Sequence, residues 1–414
     1  MLGLRCYPSL LDIDQPLELV VISLPAKYVQ GIILEASQRG DVWGAVILSA
    51  GFSETAIPEN VALEEEIVNQ AAKAGIRIVG PNCIGLINAH NRLCTGFAPG
   101  LKIRKGGIGF ITQSGAFGAS FLMLAGDQPQ VLGFSKFAHV GNMADVSNIE
   151  LLEYLGEDPD TNVLGMYIEG VRDGRGFLNA ARQITRRKPI FVLKVGITDA
   201  GSSATFSHTG TLAGSDRVYE AAFKQAGIVR VAGLDELLDA CKGASMLPRP
   251  KGRRICVLTE AGGPGIIAMD ELDRDPYLQQ AQLDAHTKHQ LEVLLPPMAM
   301  ICKPDGYIDM TAAALEREHA EALRLILKDP AVDSVLLISV PPTFLPAMDL
   351  AGEIADVIKA YDKPVAVCLM RGEVMASARG YLESRQIPTF DTPEAAVRAL
   401  ADFTKAVEYM QRNV

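Results

Sequence analysis

No two cysteines of this chain stand at CxxC spacing, and its six histidines do not pair at metal-ligand spacing with a third donor nearby. The seven thiols (Cys6, Cys83, Cys94, Cys241, Cys256, Cys302 and Cys368) are scattered, several of them in apolar runs. That usage suits reduced thiols in a cytoplasm and gives no zinc signature. His286 and His289 share a helix face, but no further ligand stands beside them. No apolar run is long enough to cross a bilayer, and Met1 to Arg5 is not a signal peptide. Basic charge is short as well: the net charge of −10 argues against a nucleic-acid binder. The clusters Arg186-Arg187-Lys188 and Lys251-Gly252-Arg253-Arg254 lie at element boundaries and read as solvated caps. Neither G-x-G-x-x-G nor G-x-x-x-x-G-K-[ST] occurs, so the usual dinucleotide and mononucleotide fingerprints are missing.

What is present is a globular composition, 48% hydrophobic and 21% charged over 414 residues, enough for two or three domains. Apolar β-branched runs alternate with amphipathic patterns. Strands are predicted at 17–24, 43–50 and 76–79, with helices at 25–40 and 59–74 between them. The order restarts at Gly107, with strands at 108–113, 134–140, 163–168, 190–195 and 228–231 and helices between. Pro248-Arg249-Pro250-Lys251-Gly252 then breaks the pattern as a stiff polar linker. A third round has strands at 255–259, 335–340, 365–369 and 388–390 and a last helix at 393–410. Strand–helix–strand order implies parallel sheets with helices on both faces. The expected fold class is α/β, with three doubly wound domains at 1–104, 105–247 and, after a linker at 248–254, 255–414.

The run Gly201 to Gly214 is rich in small and hydroxyl residues and contains one histidine, His208. It reads as a mobile loop, neither helix nor strand, carrying an imidazole that can serve as a nucleophile. Such a ring needs a carboxylate to orient it. Glu169, at the C-terminal end of the 163–168 strand, is the candidate, because ligands of open α/β sheets bind there. A solvated strand-end glutamate is the other reading. A weak repeat relates 108–118 to 255–265: each is a strand, a threonine, a tight glycine turn and a helix start. Such a turn aims backbone N–H groups and the positive helix end at one point, as an anion requires. Gly80-Pro81-Asn82-Cys83-Ile84-Gly85 is a further tight turn, in which Cys83 has no histidine nearby in sequence and reads as an inert thiol.

Taken in order, Gly80 to Asn88, Gln113-Ser114-Gly115-Ala116, Tyr167-Ile168-Glu169-Gly170, Ser207 to Gly214 and Glu260 to Gly265 resemble the α subunit of NDP-forming acyl-CoA synthetases. The ADP-forming acetyl-CoA synthetase type, in the succinyl-CoA synthetase superfamily, is the nearest pattern, and the likeness covers nearly the whole chain. It implies a truncated Rossmann-like CoA-binding domain followed by two flavodoxin-like domains. It implies an acid–thiol ligase that interconverts acyl-CoA, phosphate and ADP with acid, CoA and ATP, through an acyl phosphate and a phosphohistidine. On this chain His208 would carry the phosphoryl group, with Glu169 as its carboxylate. Ser114, Gly115, Ala116, Gly262, Gly263, Pro264 and Gly265 would cradle the phosphate. Pro25, Ala26, Lys27, Ser49, Ala50, Gly51, Asn82 and Cys83 would line the CoA site. Gly141, Asn142, Met143 and Ala144 would form the substrate loop. ATP or ADP and Mg2+ would bind on an ATP-grasp β subunit, in a cytoplasmic hetero-oligomer, with a small acyl-CoA or carboxylic acid as the other ligand. No nucleic acid or membrane partner is expected, and no metal is expected on this chain.

Two departures from the family pattern stand out. The sequence opens near the segment before the 17–24 strand, so the first strand and glycine-rich turn are expected to be missing, leaving an exposed sheet edge, half a CoA site and weakened CoA binding. Residues Cys302 to Met310 carry Lys303 where the family has asparagine, and whether Asp309 replaces the family aspartate stays open. A non-catalytic acyl-CoA-responsive module, like the synthetase-like part of some protein acetyltransferases, remains an alternative. A NAD-dependent Rossmann enzyme is a weaker one, lacking its fingerprint.

Overall fold

A computed structural model describes residues 3–97, 100–128, 130, 132–209, 215–340, 345–370 and 372–412, without the side chains of 205–209. The chain forms two compact units. One takes Met1–Met123, Gly133–Ile184 and Val192–Ala226; the other takes Leu124–Leu132, Thr185–Phe191 and Gly227–Val414.

In the first unit, strands β1 (Leu19–Ile22), β2 (Gly44–Ile47) and β3 (Arg77–Val79) pair in parallel, in that order. Helices α1 (Ala26–Arg39) and α2 (Pro58–Lys73) connect them. Gly40, at φ 72°, ends α1 in the left-handed conformation that glycine adopts without penalty. Val20 and Ile22 of β1 face Val29, Ile33, Phe52 and Ile67 in one core, while Leu19 and Val21 alternate outward. Among the described residues β1 pairs only with β2.

The larger sheet of this unit begins with β4 (Leu86–Asn88), β5 (Leu93–Cys94), β6 (Arg104–Thr112) and β7 (Gly133–His139), and continues with β8 (Val163–Ile168) and β9 (Ile190–Lys194). Its order is β9-β8-β6-β7-β4-β5. β6 lies parallel to β7 and β8, whereas β4 runs antiparallel to both β7 and β5. Strands this short carry no readable period, so the β4–β5 hairpin escapes sequence analysis. Helices α3 (Gly115–Gly126), α4 (Asn148–Glu157), α5 (Gly174–Ile184), α6 (Asp199–Thr209) and α7 (Asp216–Ala226) follow the strands. Phe110 of β6 stacks on Phe121 of α3 at 4.0 Å and on Phe137 of β7 at 5.8 Å, both parts of the buried core.

The helix α6 corrects the expectation of a loop from Gly201 as far as Thr209. Its start is fixed locally: Thr198 Oγ1 accepts the Gly201 N–H at 3.1 Å, and the Thr198 carbonyl accepts the Ser202 N–H at 2.7 Å. Asp199 adds negative charge in the first turn. Capping by Thr198, with Ala200 and Ala204 as good helix formers, thus outweighs the weak helix preference of serine and glycine. Residues 210–214 lie outside the described residues, as does the His208 side chain.

The second unit contains β10 (Val229–Val231), helix α8 (Leu234–Met246) and a third sheet. That sheet is built from β11 (Arg254–Thr259), β12 (Gln279–Gln280), β13 (Met300–Ile301), β14 (Tyr307–Asp309), β15 (Ser334–Ser339), β16 (Val365–Leu369) and β17 (Thr389–Phe390). Its order is β13-β14-β11-β15-β16-β17, with β12 also beside β11. Among the described residues only the β13–β14 pairing of this sheet is antiparallel. Helices α9 (Gly262–Arg274), α10 (Ala285–Leu294), α11 (Glu316–Lys328), α12 (Ala347–Lys359), α13 (Glu373–Ser384) and α14 (Pro393–Arg412) cover it. The class is α/β with parallel-dominated sheets, as the alternating pattern predicts.

Candidate active site

The turn after β6 is pinned by Thr112. Its Oγ1 donates to the Ser114 carbonyl at 2.8 Å and accepts the Ser114 N–H at 3.1 Å. Ser114 then caps α3, its Oγ accepting the Phe117 N–H at 3.3 Å. Gly115 and Ala116 occupy the first helical turn, where N–H groups have no carbonyl one turn back and the dipole is positive. Position 115 needs glycine, because a Cβ there would lie 2.9 Å from Cε1 of His139 and 3.2 Å from Cγ2 of Ile84.

His139 ends β7 in register with Thr112. Its Nδ1 accepts the Ile84 N–H at 2.8 Å, so the ring proton sits on Nε2, which donates to the Gln113 carbonyl at 3.1 Å. Burial lowers its pKa to about 4 against the opposing bond to Gln113, which fixes a neutral ring. Sequence analysis missed His139, since a histidine closing an apolar strand looks like any core residue.

Gln113 fastens the end of β8. Its side-chain Nε2 donates to the Gly170 carbonyl at 2.9 Å, while Oε1 accepts the N–H groups of Glu169 and Gly170. Glu169 is thereby held at the strand end with only 6% of its surface exposed. The Tyr167 hydroxyl bonds the Glu169 carboxylate. Burial, aided by that carboxylate's charge, pushes the phenol up to about 12. The Tyr167 ring also stacks on Phe117 at 4.2 Å.

Gln113, Ser114, Gly115, Ala116, His139 and Glu169 border a cleft of about 580 Å³ that also takes in Ala50, Asn82, Cys83, Gly141, Asn142, Met143 and Arg172. Asn142 ties its walls together. Its Nδ2 lies 2.6 Å from Glu54 Oε2, 2.8 Å from Glu64 Oε2 and 3.2 Å from Ser53 Oγ, and its Oδ1 accepts from Asn82 at 3.3 Å. Glu54 also accepts the Gly51 and Phe52 N–H groups. Burial opposes its ionisation, yet Asn142 and these backbone donors hold its carboxyl below the usual range. Arg172 donates to the Asn142 and Met143 carbonyls, each at 3.2 Å, and so braces the turn from outside. Glu54, Glu64 and Arg172 are also absent from the sequence reading. A carboxylate three residues after a glycine turn was a usable signal for Glu54; the other two depend on long-range packing.

The remaining candidates fall elsewhere. Pro25, Ala26 and Lys27 start α1, with the Lys27 ammonium 4.9 Å from the Tyr28 ring. Ser49 donates to the Leu24 carbonyl, and Gly51, at φ 106°, approaches Ala26. These residues sit at the C-terminal ends of β1 and β2 but are not among those lining the cleft. Ala144 donates its N–H to the Gly80 carbonyl at 3.2 Å. Cys83 is buried, its Sγ–H donating to the Ile47 carbonyl at 3.3 Å, and burial pushes the thiol up to about 12. The inert-thiol reading therefore stands.

The turn Gly262-Gly263-Pro264-Gly265 belongs to the second unit, where it begins α9. Thr259 there repeats the bonding of Thr112: Oγ1 donates to the Ala261 carbonyl at 3.1 Å and accepts the Ala261 N–H at 2.9 Å. Asp309 stands in register with Thr259, as His139 does with Thr112, and its Oδ2 lies 3.0 Å from where a Gly262 Cβ would be. The repeat seen in sequence is thus a repeat of hydrogen bonding. The side chain of His208 and residues Gly210 to Gly214 lie outside the described residues.

Residues 105–244 match the succinyl-CoA ligase-like flavodoxin domain, and residues 1–89 match a CoA-binding domain. The chain is 40% identical to the alpha subunit of acetate–CoA ligase (ADP-forming) II from Pyrococcus furiosus, over 98% of this chain and 88% of that one. It is 36% identical to acetate–CoA ligase (ADP-forming) I from Archaeoglobus fulgidus, over 97% of this chain but 56% of that protein. The structure of the dinucleotide-forming acetyl-coenzyme A synthetase 1 of Ca. Korarchaeum cryptofilum, in complex with phosphate and ADP, superposes with a TM-score of 0.91 at 33% identity. That match covers 100% of this chain and 88% of the other.

Proposed function

Because the chain belongs to the family of ADP-forming acetate–CoA ligase alpha subunits, we propose that it performs the acyl-phosphate and phosphohistidine steps of that reaction. The observation that carries this reading is the convergence on one cleft of a buried carboxylate, Glu169, and a helix-start turn, Ser114 to Ala116, kept open by Gly115.

The steps balance without a metal on this chain. Phosphate attacks the acyl carbon of acyl-CoA, the C–S bond breaks, and CoA leaves as thiolate while an acyl phosphate forms. An imidazole nitrogen of His208 then attacks phosphorus, the P–O bond to the acyl oxygen breaks, and the carboxylate departs. The N–H groups of the α3 turn stabilise charge on the phosphoryl oxygens. Glu169 accepts the proton-bearing side of the His208 ring, orienting it and balancing its charge. The turn at Gly141 to Ala144, braced by Asn142 and Arg172, borders the acyl group. Pro25 to Lys27, Ser49 to Gly51, Asn82 and Cys83 hold CoA through their strand-end turns, and the Lys27 cation suits its diphosphate.

Phosphohistidine delivers its group to ADP on a partner subunit. We assign that partner an ATP-grasp fold that binds the nucleotide with Mg2+, in a cytoplasmic complex. The 56% coverage of the longer relative supports such a division of the reaction, and seven free thiols suit a reducing compartment. A purely regulatory acyl-CoA module is not favoured, since the relatives spanning this chain are ligases. The test mixes the chain with an ATP-grasp subunit, magnesium and γ-labelled ATP. Acid-labile, base-stable label is expected on the wild type and not on His208→Ala. Absence of label on the wild type beside a demonstrably active partner overturns the proposal.

A further inference from the structure

Among the differences between the two helix-start turns, one changes the charge next to the shared threonine. After β6 the residue following the threonine is the neutral Gln113; after β11 it is Glu260. Both share one backbone contact, an N–H of the neighbouring strand end. Gln113 Oε1 accepts the N–H of Glu169, and Glu260 Oε1 accepts the N–H of Val340 at 2.6 Å. The positions correspond by register, since Thr112 pairs with Tyr167 and Thr259 with Ile338. A carboxylate in that position puts a full negative charge beside a helix start, where it would repel an anion.

His319 of α11 supplies the missing piece. Its Nδ1 donates to the Leu315 carbonyl at 2.8 Å, and its Nε2 meets Glu260 Oε2 at 3.3 Å. Both side chains are almost fully buried. Because Nδ1 already carries a proton, the contact at Nε2 needs one further proton, on either the ring or the carboxyl. In both forms the pair is neutral overall. Ser339 Oγ donates to the other Glu260 oxygen at 2.8 Å and completes the carboxylate's hydrogen bonds.

We propose that Glu260 and His319 act together as positioning residues for an anion at the α9 turn, a charge-neutral pair standing where the first unit uses Gln113. This rests on the reading that the Gly262 to Gly265 turn helps to hold the phosphoryl group of His208. Val340 stands where the first unit has Glu169, and the carboxylate beside the α9 start is instead that of Asp309, whose Oδ2 lies 3.0 Å from where a Gly262 Cβ would be.

The experiment follows labelled inorganic phosphate into His208 in the presence of acetyl-CoA, using the full chain with its partner subunit. His319→Gln keeps a hydrogen-bond donor but removes the compensating proton. It should raise the phosphate KM on the order of tenfold, the scale of one uncompensated charge near an anion. Glu260→Gln should stay within about threefold of wild type, and so should the double variant Glu260→Gln/His319→Gln, because both restore neutrality. Melting temperatures show that each variant folds. Equal damage in His319→Gln and the double variant makes the pair merely structural and overturns the proposal, as does a His319→Gln variant with an unchanged phosphate KM. Absence of label on the wild type overturns the underlying reading as well, so the two failures are distinct.

Discussion

Gln113 grips Glu169 by its backbone: one carboxamide oxygen takes the N–H groups of both Glu169 and Gly170, while the amide nitrogen donates to the Gly170 carbonyl at 2.9 Å. The side chain behaves like one more rung of the β6–β8 ladder, placed just beyond its last residue pair. Gln113→Leu removes all three bonds from a half-buried strand end. His208 labelling should fall on the order of ten- to hundredfold, because misplacing an orienting group by about 1 Å has costs of that scale. A labelling assay checks this, with circular dichroism to show retained fold.

Gly115 aligns with Gly262, and Gly263 follows one residue later in the second helix start, where its surroundings are unlike those of Gly115. A Cβ at 115 meets His139 at 2.9 Å, whereas one at 263 meets nothing within 4 Å. Gly115→Ala should therefore cost about 1–3 kcal/mol, the usual penalty for overpacking. Gly263→Ala should be neutral or stabilising by up to about 1 kcal/mol, the helix preference of alanine over glycine. Denaturant unfolding of both variants decides it.

His139 makes stability depend on pH in a defined direction. Its folded pKa, about 4, lies below the ordinary 6.5, so the unfolded chain binds the proton more readily. The stability this contributes is complete above 6.5 and is lost as pH falls from 6.5 toward 4, an effect on the order of a few kcal/mol. His139→Gln should be less stable than wild type at neutral pH yet lose less on acidification across that window. Unfolding curves at a series of pH values provide the comparison.

Asn142 is a neutral donor between two carboxylates, with Glu54 at 2.6 Å and Glu64 at 2.8 Å. Asn142→Ala loses the donor; Asn142→Asp brings a third negative group to the same point. The aspartate variant should be the less stable of the two at pH 7 and should recover relative to the alanine variant as pH drops through the carboxylate range. It should also weaken CoA binding measured by calorimetry, because Glu54 shapes the Gly51 turn.

Long periodic elements were legible in the sequence. The 163–168, 216–226 and 365–369 segments are bounded by turn or capping residues on both sides, and the structure gives those same limits. The two-residue strands β12 and β13 and the β4–β5 hairpin were not, because pairing partners rather than local pattern define them. Helix α6 was misread for a related reason: propensity pointed to a loop, and capping by Thr198 with the negative charge of Asp199 in the first turn decided otherwise. In the cleft, residues on strand ends and glycine turns stood out because β–α order announces where such turns gather. His139, Glu64 and Arg172 did not, since each acts through a partner distant in sequence.

If the cleft handles thioesters as proposed, a cysteine of its own sets a chemoselectivity problem. Any exposed thiolate there would compete with phosphate for the acyl carbon and leave the protein acylated on itself. Cys83 lines the cleft, yet its proton is given to the Ile47 carbonyl and its pKa is pushed up to about 12. At neutral pH the thiolate fraction is on the order of one in a hundred thousand. Burial would close the self-acylation route there, and alkylating reagents should find this sulfur unreactive.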